Sequence, residues 1–129
     1  MTFPKEFLDL IENSKAILYL ATLMSDGSPQ VTPVWFDTDG EHILINTNEG
    51  RTKDRNMKAR PQVAMTIQDP NELYRYLGIR GEVVGYTTEG ADEHINKLSL
   101  RYDNEPWVER SNQRRIIFRI KPTHFDKHD

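Results

Sequence analysis

The sequence predicts a mostly β fold, a small antiparallel barrel of six strands with short helices at its ends. Runs rich in β-branched and aromatic residues recur along the chain, and short Asp-Gly connectors separate the first of them. Two other segments change to the three-to-four residue spacing of amphipathic helices. At 129 residues, the chain is expected to form one domain over residues 1–129, with enough length for a hydrophobic core.

Six segments have the composition of strands. The connectors "SDGS" and "DTDG" (25–28 and 37–40) permit positive φ, so the first three strands are expected to form a meander. The fifth strand carries three glycines, which is typical of long strands that bend in a closing barrel. The predicted strands are 16–23, 30–36, 42–48, 62–68, 74–86 and 114–120.

Three segments are predicted to be helical. Thr2 can cap an opening helix over 3–13, and a second helix over 52–59 is stopped by Pro61. The third helix, 88–102, has Thr88 as its cap and one apolar stripe. The polar segments 69–73 and 103–113 are expected to be surface loops that could border a substrate pocket.

Composition restricts the classes of function. The net charge of -3 and the absence of cysteine argue against nonspecific nucleic-acid binding, disulfides and thiolate chemistry. No apolar run of membrane-spanning length and no signal peptide is seen, so we expect a cytoplasmic protein that does not enter membranes. No metal-ligand set is evident. A mean hydropathy of -0.71 predicts a thin core that association into a homodimer would extend.

The segment "NTNEGRTKDRNMKARP" (46–61) concentrates basic residues in an acidic chain. Arg51, Thr52 and Lys53 lie at the predicted start of a helix, where cations oppose the helix dipole and anions are favoured. A bound phosphate would explain this placement, whereas a solvated helix face is the alternative. Lys58 and Arg60 lie near the helix end, where cations are favourable, and Asp54 can pair with Lys58.

Two strand segments can supply the remainder of a ligand site. Asn46 and Thr47 end a strand close to Arg51, so they either contact the next part of the same ligand or cap a turn. Pro33 indicates an edge strand or a bulge, and it would leave backbone groups between Thr32 and Trp35 free to bind a planar ligand. The Trp35 ring belongs either to the core or to that ligand site.

The order of these parts resembles a known family. The stretches "LATLMSDGSPQVTPVWFDTDGEHILINT", "GRTKDRNMKARPQVAMTI" and "YLGIRGEVV" are similar to the split β-barrel flavin-binding proteins related to pyridoxamine 5'-phosphate oxidase, and within them to the coenzyme F-420-dependent oxidoreductases. The resemblance runs from Phe3 to Ile120. It implies a mostly β, six-stranded antiparallel split β-barrel of the FMN-binding type, a homodimer with cofactor sites at the subunit interface.

The resemblance also implies roles for individual residues. The cofactor phosphate would be held by Arg51, Thr52 and Lys53, and the ring would be flanked by the strand that carries Val34 and Trp35. Asn46 and Thr47 would contact the ring or the ribityl chain, and Tyr76 would be contributed by the partner subunit. The complete set of predicted cofactor-binding residues is Thr32, Pro33, Val34, Trp35, Asn46, Thr47, Arg51, Thr52, Lys53, Asn56 and Tyr76.

The predicted function is hydride transfer between the deazaflavin coenzyme F-420 and a conjugated small organic substrate. No side chain is assigned as a catalytic acid or base. FMN is the alternative cofactor, with Arg55, Lys58 and Arg60 available for the longer tail of F-420. A non-catalytic carrier of a flavin or tetrapyrrole is the alternative from another class. The chain lacks the C-terminal Trp and Arg motif that binds pyridoxal phosphate in the oxidase, so vitamin B6 oxidation is not expected.

Overall fold

The computed structural model describes residues 2–12 and 14–129, and its main feature is one curled antiparallel sheet of seven strands. The strands lie in the order β2-β1-β5-β6-β7-β4-β3. The strand bounds are β1 Leu18–Leu23, β2 Pro29–Val34, β3 Asp37–Thr38, β4 Ile43–Asn48, β5 Gln62–Gln68, β6 Tyr76–Thr87 and β7 Arg115–His128. The helices are α1 Leu8–Glu12, α2 Thr52–Ala59 and α3 Ala91–Asp103.

The structure corrects the predicted strand count and the predicted meander. Its additional strand is the two-residue β3, and β7 continues past the predicted end at Ile120 to His128. β1 and β2 form the expected hairpin, but β4 pairs with β3 and β7 rather than with β2. The Asp-Gly turn at Gly40, with φ of 96°, closes a β3–β4 hairpin instead, and this hairpin lies at the end of the strand order opposite to β2, with β3 as the edge strand.

The two longest strands curl the sheet at the predicted glycines. Irregularities in the β6–β7 register lie between Arg80 and Gly81 and between Val83 and Gly85. A Cβ atom at Gly81 would lie 2.8 Å from Ile120 Cγ2 and 2.9 Å from the Lys121 carbonyl oxygen, so this close approach requires glycine. The prediction that glycines mark bends in a long strand is confirmed at these two places.

The helices match the predictions in position but not in capping. The opening segment is a 3₁₀ turn, Lys5–Phe7, followed by α1, and it is preceded by Pro4 rather than capped by Thr2. The predicted last residue of that helix, Asn13, lies outside the described residues. α2 has the predicted bounds. α3 begins at Ala91 after Gly90, and Thr88 contributes only its backbone carbonyl to the Ala91 N–H.

The core lies on the inner, concave side of the sheet. Phe7, Phe36 and Phe118 are fully buried there, together with aliphatic side chains from β1, β4 and β6. Burial of such aromatic side chains supplies a large part of the stability of a small domain. Within the described part of the chain, no helix is long and apolar enough to cross a membrane.

Candidate functional site

A cavity of about 390 Å³ opens between the edge strand β2, the ends of β4 and β7, and α3. Its volume is within the range of roughly 300–1,000 Å³ that is usual for small-molecule sites. One side of the cavity is apolar and the other carries amide, hydroxyl and cationic groups. It is lined by Ile17, Pro33, Val34, Trp35, Asn46, Thr47, Arg51, Lys53, Ile95, Leu98, Trp107 and Arg115.

The apolar side of the cavity is built around the half-buried Trp35. Its ring stacks on Tyr102, with centroids 5.2 Å apart and planes 5° apart. Trp107 meets the same ring edge-on at 6.1 Å, while the Tyr102 hydroxyl donates to the Ala16 carbonyl at 2.7 Å. These contacts fix the Trp35 ring, so it forms a rigid wall that both packs against the protein and borders the cavity.

The polar end of the cavity contains three cations, Arg51, Lys53 and Arg115. Burial lowers the pKa of the Lys53 ammonium, and the neighbouring charges of Arg51 and Arg115 lower it further. Among residues 2–12 and 14–129, the Arg51 and Lys53 side chains have no carboxylate within ion-pair distance. Because a partly buried cation is normally paired, this cluster is suited to an anionic ligand.

A second cavity of about 370 Å³ adjoins this cationic end and shares Arg51 and Lys53 with the first. Two buried oxygen atoms within it, Gln30 Oε1 and Thr32 Oγ1, have no hydrogen-bond partner in the described part of the chain. The Thr32 hydroxyl is free to donate to an anion, and α2 begins at this place. The cavity is lined by Gln30, Thr32, Gly50, Arg51, Thr52, Lys53 and Arg55.

The turn before α2 brings its cations to the cavity. Gly50 has a φ of 91°, and its N–H donates to Asp54 Oδ2 at 2.8 Å. The Arg55 side chain donates to the Gly50 carbonyl. Asp54 also pairs with Lys58 at 3.1 Å, as predicted. Asp54 supplies the negative charge that is favoured in a first helical turn. Because Asp54 pairs with Lys58, it does not neutralise Arg51 or Lys53, and these two cations remain available to a ligand in the cavity.

Asn46 is held by three neighbours rather than by a turn. Its Nδ2 donates to the Ala91 carbonyl at 2.9 Å and lies 3.1 Å from His94 Nδ1, and its Oδ1 accepts from Arg115 Nε at 2.9 Å. Thr47 beside it is buried and also lines the cavity. The interpretation of Asn46 as a turn cap is therefore wrong. Asn46 lines the first cavity, and its contact with a cofactor stays a prediction.

Comparison with known proteins assigns the family. The family model described as pyridoxamine 5'-phosphate oxidase matches residues 3–129. The chain belongs to the pyridoxamine 5'-phosphate oxidase family. Among curated proteins, none matches the chain.

Solved structures of this pyridoxamine 5'-phosphate oxidase fold resemble the chain over almost its whole length. An "F420 Reductase" is 36% identical with a TM-score of 0.85, covering 96% of this chain and 98% of that one. A putative pyridoxamine 5'-phosphate oxidase from Listeria innocua is 18% identical with a TM-score of 0.71, covering 95% and 94%. The heme storage protein HutZ from Vibrio cholerae is 17% identical with a TM-score of 0.70, covering 99% and 96%. The last two likenesses show the fold alone.

Two of the predicted cofactor-binding residues, Asn56 and Tyr76, line neither of the two cavities. Asn56 donates to Thr22 Oγ1 at 3.0 Å and thereby attaches α2 to β1. Tyr76 stacks on His128 with centroids 4.7 Å apart, outside both cavities. Its predicted role in a partner subunit stays a prediction. The other predicted residues, Thr32, Pro33, Val34, Trp35, Asn46, Thr47, Arg51, Thr52 and Lys53, line one or both cavities.

The cations nearer the end of α2 have other partners. Lys58 pairs with Asp54, and Arg60 Nε donates to the Leu23 carbonyl at 2.7 Å. Arg60 is therefore not the simple surface charge that the sequence suggested, because it joins the end of α2 to β1. Of the three cations considered for a longer cofactor tail, Arg55 lines the second cavity, whereas Lys58 and Arg60 line neither of the two.

Sequence reasoning missed several residues of the site. Arg115 reaches it because β7 pairs with β4 so that Arg115 lies opposite Asn48, a register between segments far apart in the sequence. Trp107 was placed in a polar surface loop, and a single tryptophan in such a loop was the available signal. The remaining lining residues that were not predicted are Ile17, Gln30, Gly50, Ile95 and Leu98.

Proposed function

We propose that this chain is an oxidoreductase that binds the deazaflavin coenzyme F-420 and transfers hydride between it and a conjugated small organic substrate. One observation carries the proposal: an apolar cavity with a fixed tryptophan wall continues into a cationic pocket where the buried Thr32 hydroxyl has no hydrogen-bond partner among the described residues. Such a site matches a planar ring linked to a phosphate, since each half of the ligand meets surroundings of its own polarity.

The residues present fit the parts of such a cofactor. Arg51 and Lys53 would hold the phosphate, with the hydroxyls of Thr32 and Thr52 as further donors. Val34 and Trp35 would flank the ring. When bound, the coenzyme supplies the hydride chemistry, and these side chains supply orientation, exclusion of water and a clamp for the anion.

The choice of F-420 rests on similarity rather than on the phosphate pocket. The solved "F420 Reductase" is 36% identical over nearly the whole chain, which favours the deazaflavin. FMN also ends in a phosphate after a ribityl chain, so the same pocket would accept it. FMN is therefore the ligand against which F-420 has to be compared.

We also propose that the site is completed in a homodimer. The strand registers place Tyr19, Ala21, Val31 and Ala64 on the outer face of β2, β1 and β5. Tyr19 and Val31 are 41% and 61% exposed, which leaves an apolar face open on a single chain. A second copy would cover this face, and the predicted contribution of Tyr76 belongs to that assembly.

Fluorescence titration of the purified protein with F-420 and with FMN tests the cofactor. We expect saturable F-420 binding that is tighter than FMN binding. Micromolar FMN binding without F-420 binding would show that the cofactor is FMN rather than the deazaflavin. Binding of neither ligand would refute the proposal.

Turnover separates an enzyme from a carrier. The protein loaded with reduced F-420 is mixed with enones, quinones or tetrapyrroles, and reoxidation is followed by absorbance. We expect reoxidation with at least one of these substrates. Tight binding without reoxidation by any substrate would instead support a carrier of the cofactor.

A further inference from the structure

Four polar side chains form a continuous row from the edge of the sheet to the cavity. Asp37 Oδ2 lies 3.2 Å from His94 Nε2, and His94 Nδ1 lies 3.1 Å from Asn46 Nδ2. Asn46 Oδ1 then accepts from Arg115 Nε at 2.9 Å. The four residues come from β3, α3, β4 and β7, so the row joins three neighbouring strands at one end of the sheet order to a helix packed over them.

The chemistry of the two ends fixes the direction of every hydrogen bond in the row. The Arg115 guanidinium can only donate, so the oxygen of the Asn46 amide has to face it. The Asn46 NH₂ group then faces both the Ala91 carbonyl and His94 Nδ1. His94 Nδ1 must accept, and its single proton lies on Nε2, directed at the Asp37 carboxylate.

Arg115 and Asn46 are the members of the row that line the cavity, and Arg115 is the one that carries a charge. Its side chain is 8% exposed, and the guanidinium lies 5.1 Å from the Trp107 ring centroid. Glu109 Oε1 lies 3.9 Å from Arg115 Nη1. With Nε bound to Asn46, the position of the guanidinium plane depends on the orientation of the Asn46 amide.

We propose that His94 is a positioning residue for ligand binding: through its Nδ1 acceptor it orients the Asn46 amide, which holds the Arg115 guanidinium at the cationic end of the cavity. The ligand side of this inference rests on the proposed function, because the anion is taken to be the phosphate-bearing cofactor. The hydrogen-bonded row itself does not rest on the proposed function, because it involves only side chains of this protein.

Two substitutions of His94 distinguish the effect of its hydrogen-bond acceptor from the effect of its side-chain volume. His94→Asn keeps an oxygen acceptor close to the place of Nδ1, whereas His94→Leu removes it and leaves the Asn46 NH₂ group with one acceptor fewer. Fluorescence titration with FMN and with F-420 is expected to show at least about fivefold weaker binding for His94→Leu, as for loss of a roughly 1 kcal/mol interaction. We expect His94→Asn to bind within about twofold of the unsubstituted protein. Equal affinity of His94→Leu and the unsubstituted protein, or equal weakening by both substitutions, would overturn the proposal.

Nuclear magnetic resonance of the protein without ligand tests the row itself. Long-range ¹⁵N–¹H spectra at neutral pH are expected to show His94 with its proton on Nε2, and the Arg115 Nε–H is expected to exchange slowly with water. That exchange should become faster in His94→Leu and stay slow in His94→Asn. A proton on Nδ1, or unchanged Arg115 exchange in a folded His94→Leu, would refute the positioning role.

The two sets of measurements distinguish failure of this inference from failure of the proposed function. If the unsubstituted protein binds neither FMN nor F-420, the proposed function fails while the resonance measurements still decide the role of His94. If His94→Leu does not fold, as judged by circular dichroism, the His94 tautomer and the His94→Asn variant decide it instead.

Discussion

Lys53 and Lys58 are cations of one short helix, yet their electrostatic surroundings differ. Burial, Arg51 and Arg115 lower the pKa of the Lys53 ammonium, and no carboxylate among the described residues pairs with it. Lys58 is paired with Asp54 at 3.1 Å and lines neither of the two cavities. A ligand anion would therefore relieve repulsion at Lys53 and change little at Lys58.

Replacement of Lys53 tests this difference at the scale of one residue. Lys53→Ala is expected to weaken cofactor binding by roughly 1.5–3 kcal/mol, the usual contribution of a charged hydrogen bond. Fluorescence titration with F-420 and FMN measures the dissociation constants. Lys58→Ala is the matched control and should bind about as tightly as the unsubstituted protein. An unchanged dissociation constant for Lys53→Ala would rule out the phosphate clamp.

At the scale of elements, α2 is attached to β1 by buried polar contacts. Asn56 is 4% exposed and donates to Thr22 Oγ1, and Thr22 is itself 1% exposed. Arg60 adds a bond from the helix end to the Leu23 carbonyl. These contacts decide where the first turn of α2 lies, and thus where Arg51 and Lys53 are presented.

Asn56→Ala is expected to lower the free energy of unfolding by about 1–3 kcal/mol, because the Thr22 hydroxyl loses its partner inside the protein. Urea unfolding followed by circular dichroism measures the change. Asn112→Ala, at an exposed position of the loop before β7, is the matched control and should change stability by less than about 0.5 kcal/mol. A similar stability for the two variants would contradict the structural role of Asn56.

The contact between β3 and α3 predicts an acid-dependent stability. Burial by itself would raise the pKa of Asp37, but hydrogen bonds from His94 and Lys97 outweigh it and hold that pKa far below its usual range. A carboxyl whose pKa is lowered on folding stabilises the protein above its unfolded pKa, about 3.9 for aspartate. This stabilisation is lost as the pH falls from there towards the lower pKa of the folded state.

Asp37→Asn is therefore expected to be less stable than the unsubstituted protein at neutral pH, by roughly 1–3 kcal/mol. The difference should shrink as the pH is lowered below about 4. Thermal unfolding at a series of pH values provides the measurement. Asp129→Asn, which changes an exposed carboxyl, should leave the profile unchanged. A constant difference between Asp37→Asn and the unsubstituted protein at all pH values would refute the ion-pair account.

At the scale of the whole molecule, the outer face of β2, β1 and β5 is left open on a single chain. The inner face packs the core, while β2, β1 and β5 present apolar side chains outward around a shallow cavity of about 370 Å³. An apolar surface of this kind is commonly buried by association of subunits. The proposed dimer would use this face.

Size-exclusion chromatography with light scattering is expected to give a mass about twice the 15.1 kDa of the chain. Val31→Glu, which puts a charge in the open face, should shift the protein towards the monomer. Leu73→Glu alters an equally exposed apolar residue, 62% against 61%, that lies in the loop between β5 and β6 and should leave the mass unchanged. A monomeric mass for the unsubstituted protein would refute the proposed dimer.

The sequence was most informative where local chemistry decides the structure. The bounds of α2 were predicted because its start and its stop at Pro61 are local signals, and the β1–β2 hairpin follows from its Asp-Gly turn. Pro33 was expected at an edge strand or a bulge, and β2 is the edge of the sheet. The residues of the proposed phosphate clamp were predicted from charge placement within a single helical turn, and each of them lines a cavity.

By itself the sequence determined the mostly β class, the positions of the helices and the segments that carry Trp35, Asn46 and Lys53. Only the tertiary structure decided that β4 pairs with β7 rather than β2, which brings Arg115 to Asn46. Likewise it decided that His94 joins Asp37 to this site. The physical reason is that turns and helix ends depend on neighbouring residues, whereas strand register and side-chain rows are set by packing between segments distant in sequence.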